Sequence, residues 1–126
     1  MDDSEFEKAI ETAIEGLPKE FRDKLDNVAV VIADWPSDEQ MQVLRKRGER
    51  GILLGLYQGI PQTKRRNYGV GPTLPDKITI FKFPILRISE SYEAAILTIK
   101  DTVIHEIAHH FGMNEEEIGR AQGRKN

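Results

Sequence analysis

The sequence predicts an α+β domain in which a small sheet of three or four strands packs on one long helix. Three observations carry that expectation. Val28-Ala29-Val30-Val31-Ile32-Ala33 is a continuous apolar, β-branched run of the kind that forms a buried strand. Residues 52–57 and 77–83 are two further strand-like runs. Tyr92, Ala95, Ile96, Ile99, Val103, Ile107 and Phe111 then recur at helical spacing.

The elements follow in order. Phe6, Ala9, Ile10, Ala13 and Ile14 mark a helix over residues 4–15, with Ser4 as its N-cap and Gly16 as its stop. Pro18 opens a short helical turn holding Phe21 and Leu25, and Asp26-Asn27 is a turn. The strand at 28–33 reads as buried on both faces and is broken by Trp35-Pro36. Ser37 caps a helix over 38–47, with Gln40 in the capping-box position, and the 48–51 segment ends it between two glycines. The second strand, 52–57, is closed by Gly59-Ile60-Pro61. A loop over 61–76 carries Pro61, Gly69, Gly71, Pro72 and Pro75, and long loops in small domains are often functional. Pro84 follows the third strand, 77–83; proline cannot donate to a ladder, so that strand is expected at a sheet edge. The long helix starts from Ser89 or Ser91 and stops at Gly112, and a last short helix begins at Asn114.

With 126 residues, the chain is the right size for one domain, 1–126, around one core. An apolar fraction of 39% beside 31% charged residues describes a globular chain rather than a disordered or fibrous one. The net charge of −3 gives no global reason to bind nucleic acid, which is not expected as a partner. Arg45-Lys46-Arg47 with Arg50, and Lys64-Arg65-Arg66, read as solvated surface. With no cysteine, disulfides, thiolate ligands and a thiol nucleophile are all excluded. The acidic start Met1-Asp2-Asp3 lacks the basic-then-apolar pattern of a signal peptide, and no run suffices to span a bilayer; the expectation is a cytoplasmic protein without membrane contact. Nothing in the sequence sets an oligomeric state.

The chemistry is concentrated near the end of the long helix. The three histidines of the chain, His105, His109 and His110, lie within six consecutive residues. Residues four apart share a helix face, so His105 and His109 can aim two imidazole nitrogens at one point, as zinc requires. Glu106 stands beside them, suited to take a proton from water activated at the ion rather than to bind the ion itself. A competing reading is a helix end at which imidazoles meet the C-terminal dipole. An open catalytic site needs a third protein ligand. Gly112 can turn the chain back, and Glu115 then arrives in the pattern His-Glu-x-x-His-x-x-Gly-x-x-Glu. Glu115 is the expected third ligand, with Glu116, Glu117 or a more distant acid as alternatives, and Asn114 with Glu117 as a capping pair. His110 points away around the helix and is expected to support the ligands from behind or to pack, rather than to bind the ion. Asp101, one turn before His105, is a candidate to orient that imidazole or simply a solvated residue.

His105-Glu106-Ile107-Ala108-His109-His110-Phe111-Gly112-Met113, together with Tyr57-Gln58-Gly59-Ile60-Pro61 and Leu74-Pro75-Asp76-Lys77-Ile78-Thr79-Ile80, resembles the small bacterial minimal zincin metallopeptidases over residues 28–118. The resemblance implies a reduced zincin fold with an edge strand above the active-site helix. It also implies Zn2+ at His105 and His109, with Glu106 as general base. The motif is similar to that of metzincins, but Glu115 stands where their third histidine falls. The supporting methionine turn has no room, and Met113 lies too near the motif to replace it.

The expected activity is therefore zinc-dependent hydrolysis of a peptide or protein substrate. The substrate would pair with the edge strand over residues 78–83, and the oxyanion would be met by Tyr57, Tyr68 or Arg66. The alternative is a non-catalytic metal-binding interaction or regulatory module, and a weaker third reading is a nucleic-acid-associated regulator using the two basic clusters.

Overall fold

The computed structural model describes residues 1–59 and 75–123. Its elements are α1 (Asp3–Glu15), α2 (Lys19–Lys24), β1 (Val28–Ala33), α3 (Asp38–Lys46), β2 (Gly55–Gln58), β3 (Asp76–Phe81), α4 (Lys82–Ile88), α5 (Tyr92–Phe111) and α6 (Glu115–Ala121). The architecture is α+β, with a three-stranded mixed sheet in the order β1-β3-β2. The 61–76 loop, apart from its last two residues, lies outside the described residues, as do Lys64, Arg65, Arg66 and Tyr68.

Helix starts follow local hydrogen-bond chemistry. Ser37 and Gln40 form the expected capping box on α3, and Asn114 and Glu117 form another on α6. Of the two candidate serines before α5, Ser91 is the cap, accepting from the Ala94 amide at 3.0 Å. The cap of α1 is Asp2 rather than Ser4: its carboxylate accepts from the Glu5 amide at 2.8 Å, so the cap sits two residues earlier and Ser4 falls inside the first turn. Gly112 ends α5 in the left-handed region, at φ 65°, and the Met113 amide returns to the Ala108 carbonyl at 2.9 Å.

The sheet corrects two expectations. β3 is the central strand, not an edge: it pairs parallel with β1 and antiparallel with β2. It stops at Phe81, and Pro84 is the third residue of α4, where first-turn amides have no intrahelical acceptor and a missing N–H costs nothing. β1 is an outer strand and is not buried on both faces; Val31 is 38% exposed, while Val28, Val30 and Ile32 pack against the core. Peptide pairing over residues 78–83 is thereby excluded, because both sides of β3 are already hydrogen-bonded within the sheet.

The main core joins Phe6, Ala9, Ile10 and Ala13 of α1, Ile78 and Ile80 of β3, and Ala95, Ile99, Val103, Ile104 and Ile107 of α5. Successive strand residues face opposite sides, so Phe81 falls into a smaller cluster with Leu44, Leu53 and Leu56 beneath α3. α5 therefore lies against both sheet and α1, with most of its second half buried. Among the described residues, no helix is long and apolar enough to cross a membrane.

Candidate metal centre

α5 keeps a solvent-facing stripe along Leu97, Asp101, His105 and His109, each four residues from the next. The last turn of that stripe brings the two imidazoles together. His105 Nε2 and His109 Nε2 are 2.8 Å apart, so the rings turn the same pair of nitrogens toward one point. A third donor arrives from another element. Glu49 Oε1 lies 3.7 Å from His109 Nε2, and one ligand atom each from Glu49, His105 and His109 falls within 4.8 Å of the other two. All three side chains are solvent-accessible.

Glu106 is turned about 100° around the helix from His105 and is buried, yet borders the same cleft. Its carboxylate is held by three hydrogen bonds from two groups. The Arg47 guanidinium donates to both oxygens, Nη1 to Oε2 at 2.9 Å and Nη2 to Oε1 at 3.2 Å, and the Tyr57 amide donates to Oε1 at 3.0 Å. The bidentate geometry suits arginine's planar fork. The hydrogen bonds to Glu106 hold the Arg47 guanidinium above its ordinary pKa against the opposing pull of burial, and the charges of Glu106 and Glu49 add to the effect.

The approach of β2 to α5 depends on Gly55. A Cβ there would stand 2.7 Å from Thr102 Cγ2 and 3.1 Å from the Thr79 carbonyl oxygen. With only hydrogen at that position, the edge strand lies close enough for the Tyr57 amide to reach Glu106. A cavity of about 440 Å³ opens alongside, bordered by Arg47, Glu49, His105 and Glu106 as well as Leu53 and Asp101. Acidic, basic and imidazole groups thus share one cleft with an apolar wall.

The other candidates are placed as follows. Glu115 is the first residue of α6, exposed, and lies outside the Glu49–His105–His109 group. Asp101 lines the cleft but is likewise not one of the gathered donors. His110 stacks on Tyr57 with ring centroids 4.0 Å apart, the packing role expected of it. The Tyr57 hydroxyl, a candidate for the oxyanion, donates to Asp76 at 2.7 Å. Arg47, read from sequence as solvated, is instead a partner of Glu106. Neither Arg47 nor Glu49 belongs to a sequence motif; the one local signal is that Glu49 lies between two glycines of positive φ, Gly48 at 74° and Gly51 at 95°.

Residues 25–124, most of the chain, match a family model described as zincin-like metallopeptidase. A search of curated proteins returns no match.

Proposed function

Since the chain belongs to the zincin-like metallopeptidase family, we propose that it is a zinc-dependent peptidase in which His105 and His109 hold the ion and Glu106 is the general base. The observation that carries the reading is the convergence of the two Nε2 atoms beside a buried carboxylate on the intervening turn. The donor chemistry fits: two imidazoles and a carboxylate are the nitrogen and oxygen ligands of catalytic zinc sites. The carboxylate is Glu115 by the sequence pattern, whereas Glu49 is the one gathered with the histidines. Zinc at such a site supplies Lewis acidity, polarising a carbonyl and acidifying water.

The chain's own groups account for the remaining needs. A carboxylate has about four lone-pair positions. Glu106 Oε1 accepts from Arg47 and Tyr57 and Oε2 accepts from Arg47, so Oε2 keeps a lone pair to receive a proton. Arg47 and the Tyr57 amide fix the orientation of that oxygen, and Leu53 and Leu54 give the cleft an apolar wall. With β3 in the centre, the outer strand beside α5 is β2, and an extended peptide would be received along it.

One observation favours a second reading. The three-point hold on Glu106 also suits a structural ion pair in a metal-binding module without turnover. Zinc content and peptide-library cleavage, measured on the parent and on Glu106→Gln, separate the two. A peptidase gives about one zinc per chain in both proteins and cleavage only by the parent. Zinc in the parent without cleavage supports the module, and equal cleavage by the variant removes Glu106 as the base.

A further inference from the structure

We infer that Glu49, on the connection between α3 and β2, is itself a ligand of the metal, supplied from outside the helical motif. The inference rests on the zinc site proposed above and names the protein oxygen that completes it.

Two independent constraints bring Glu49 to the histidines. The first is backbone geometry. α3 ends with the Gly48 amide on the Arg45 carbonyl at 3.0 Å and the Glu49 amide on the Leu44 carbonyl at 3.1 Å, around a left-handed Gly48. That closure fixes the direction in which Glu49 leaves the helix. The second is the clamp two residues earlier. Arg47 grips Glu106, which stands on the same turn of α5 as His105 and His109. The end of α3 is thus tied to the motif before Glu49 makes any contact.

The chemistry agrees with the geometry. The Glu49 oxygen stands 3.7 Å from His109 Nε2, within about the 4 Å that bounds an ion pair but too long for a good hydrogen bond. Two ligand atoms bound to one zinc at ~2.0–2.2 Å in a tetrahedral shell are separated by roughly 3.3 Å. Separations of 2.8 Å between the imidazole nitrogens and 3.7 Å between His109 and Glu49 bracket that value. The third separation, between Glu49 and His105, lies within 4.8 Å, and rotation of these exposed side chains is needed to seat all three on one ion. Glu49 also borders the cleft with His105 and Glu106, so the metal would face the space in which a substrate is received. Glu115 has no such placement.

Zinc affinity, measured by competition with a chromophoric chelator, and the visible spectrum of the Co2+-loaded protein test this on the parent, Glu49→Gln and Glu115→Gln. Glu49 is exposed, so its substitution should leave the fold intact, which far-UV circular dichroism checks. The expected result is at least a tenfold loss of zinc affinity and a changed cobalt spectrum in Glu49→Gln, with Glu115→Gln within threefold of the parent. Parent-like affinity and spectrum in Glu49→Gln overturn the inference while leaving the zinc site standing. A parent that takes up no zinc overturns both.

Discussion

At the residue scale, the tightest constraint on the site is the Arg47–Glu106 pair. Glu106 is 3% exposed, and a carboxylate that far from water is tolerated only with its charge compensated and its oxygens hydrogen-bonded. Arg47→Ala removes two charge-assisted bonds and leaves the buried carboxylate with the Tyr57 amide alone. It is expected to destabilise the fold by about 3 kcal/mol, measured by urea denaturation. A loss below about 1 kcal/mol would mean that solvent already reaches Glu106. Arg47→Lys should recover only part of the loss, because an ammonium cannot reproduce the two-point grip. The pH behaviour has a definite sign. A guanidinium with a raised pKa contributes stability that is full below its unfolded value and is lost only as pH rises through the folded one. Both lie beyond the working range, so this pair should cause no alkaline loss of stability between neutral pH and about pH 10.

At the element scale, β2 decides what the long helix can do. Its contact with α5 places the Tyr57 amide on Glu106 and closes one side of the cleft. Gly55 permits the approach, and a methyl group there would meet Thr102, whose hydroxyl is anchored to the Thr98 carbonyl at 2.7 Å, and the backbone of β3. Gly55→Ala is therefore expected to cost about 1–3 kcal/mol through overpacking. It should also weaken protection of the Tyr57 amide in hydrogen exchange. A neutral effect on both would show that β2 can shift outward freely. Elements formed by local signals were legible in the sequence: the capping boxes of α3 and α6, the periodic face of α5 and its glycine stop. α4 was not, because Phe83-Pro84-Ile85-Leu86 is apolar without a readable period and a proline fits a strand edge as well as the first turn of a helix.

At the scale of the whole molecule, a metal at Glu49, His105 and His109 would join the α3–β2 connection to the end of α5. Binding to the folded chain alone stabilises it by mass action, by about 2.7 kcal/mol at a free-ion concentration a hundredfold above Kd. Zinc should therefore raise the melting temperature of the parent by several degrees, and a chelator should reverse the rise. His109→Ala should show neither effect in the same calorimetric scan. An equal shift in that variant would place the bound zinc elsewhere on the chain.

The sequence by itself determined the α+β class, the zincin-like resemblance and the joint presentation of His105 and His109. The class follows from the period of each run, the resemblance from the residues of three short motifs, and the pairing of the histidines from helical spacing, which fixes which residues share a face whatever the rest of the chain does. Only the tertiary structure decided that β3 is central, that Arg47 clamps Glu106, and that Glu49 stands with the histidines. Arg47 and Glu106 are 59 positions apart, and no local pattern encodes a contact at that distance. It arises from packing on the sheet: α3 packs with Leu56 and Phe81 while α5 packs with Ile78 and Ile80, and the sheet between them sets where the end of α3 meets the helix.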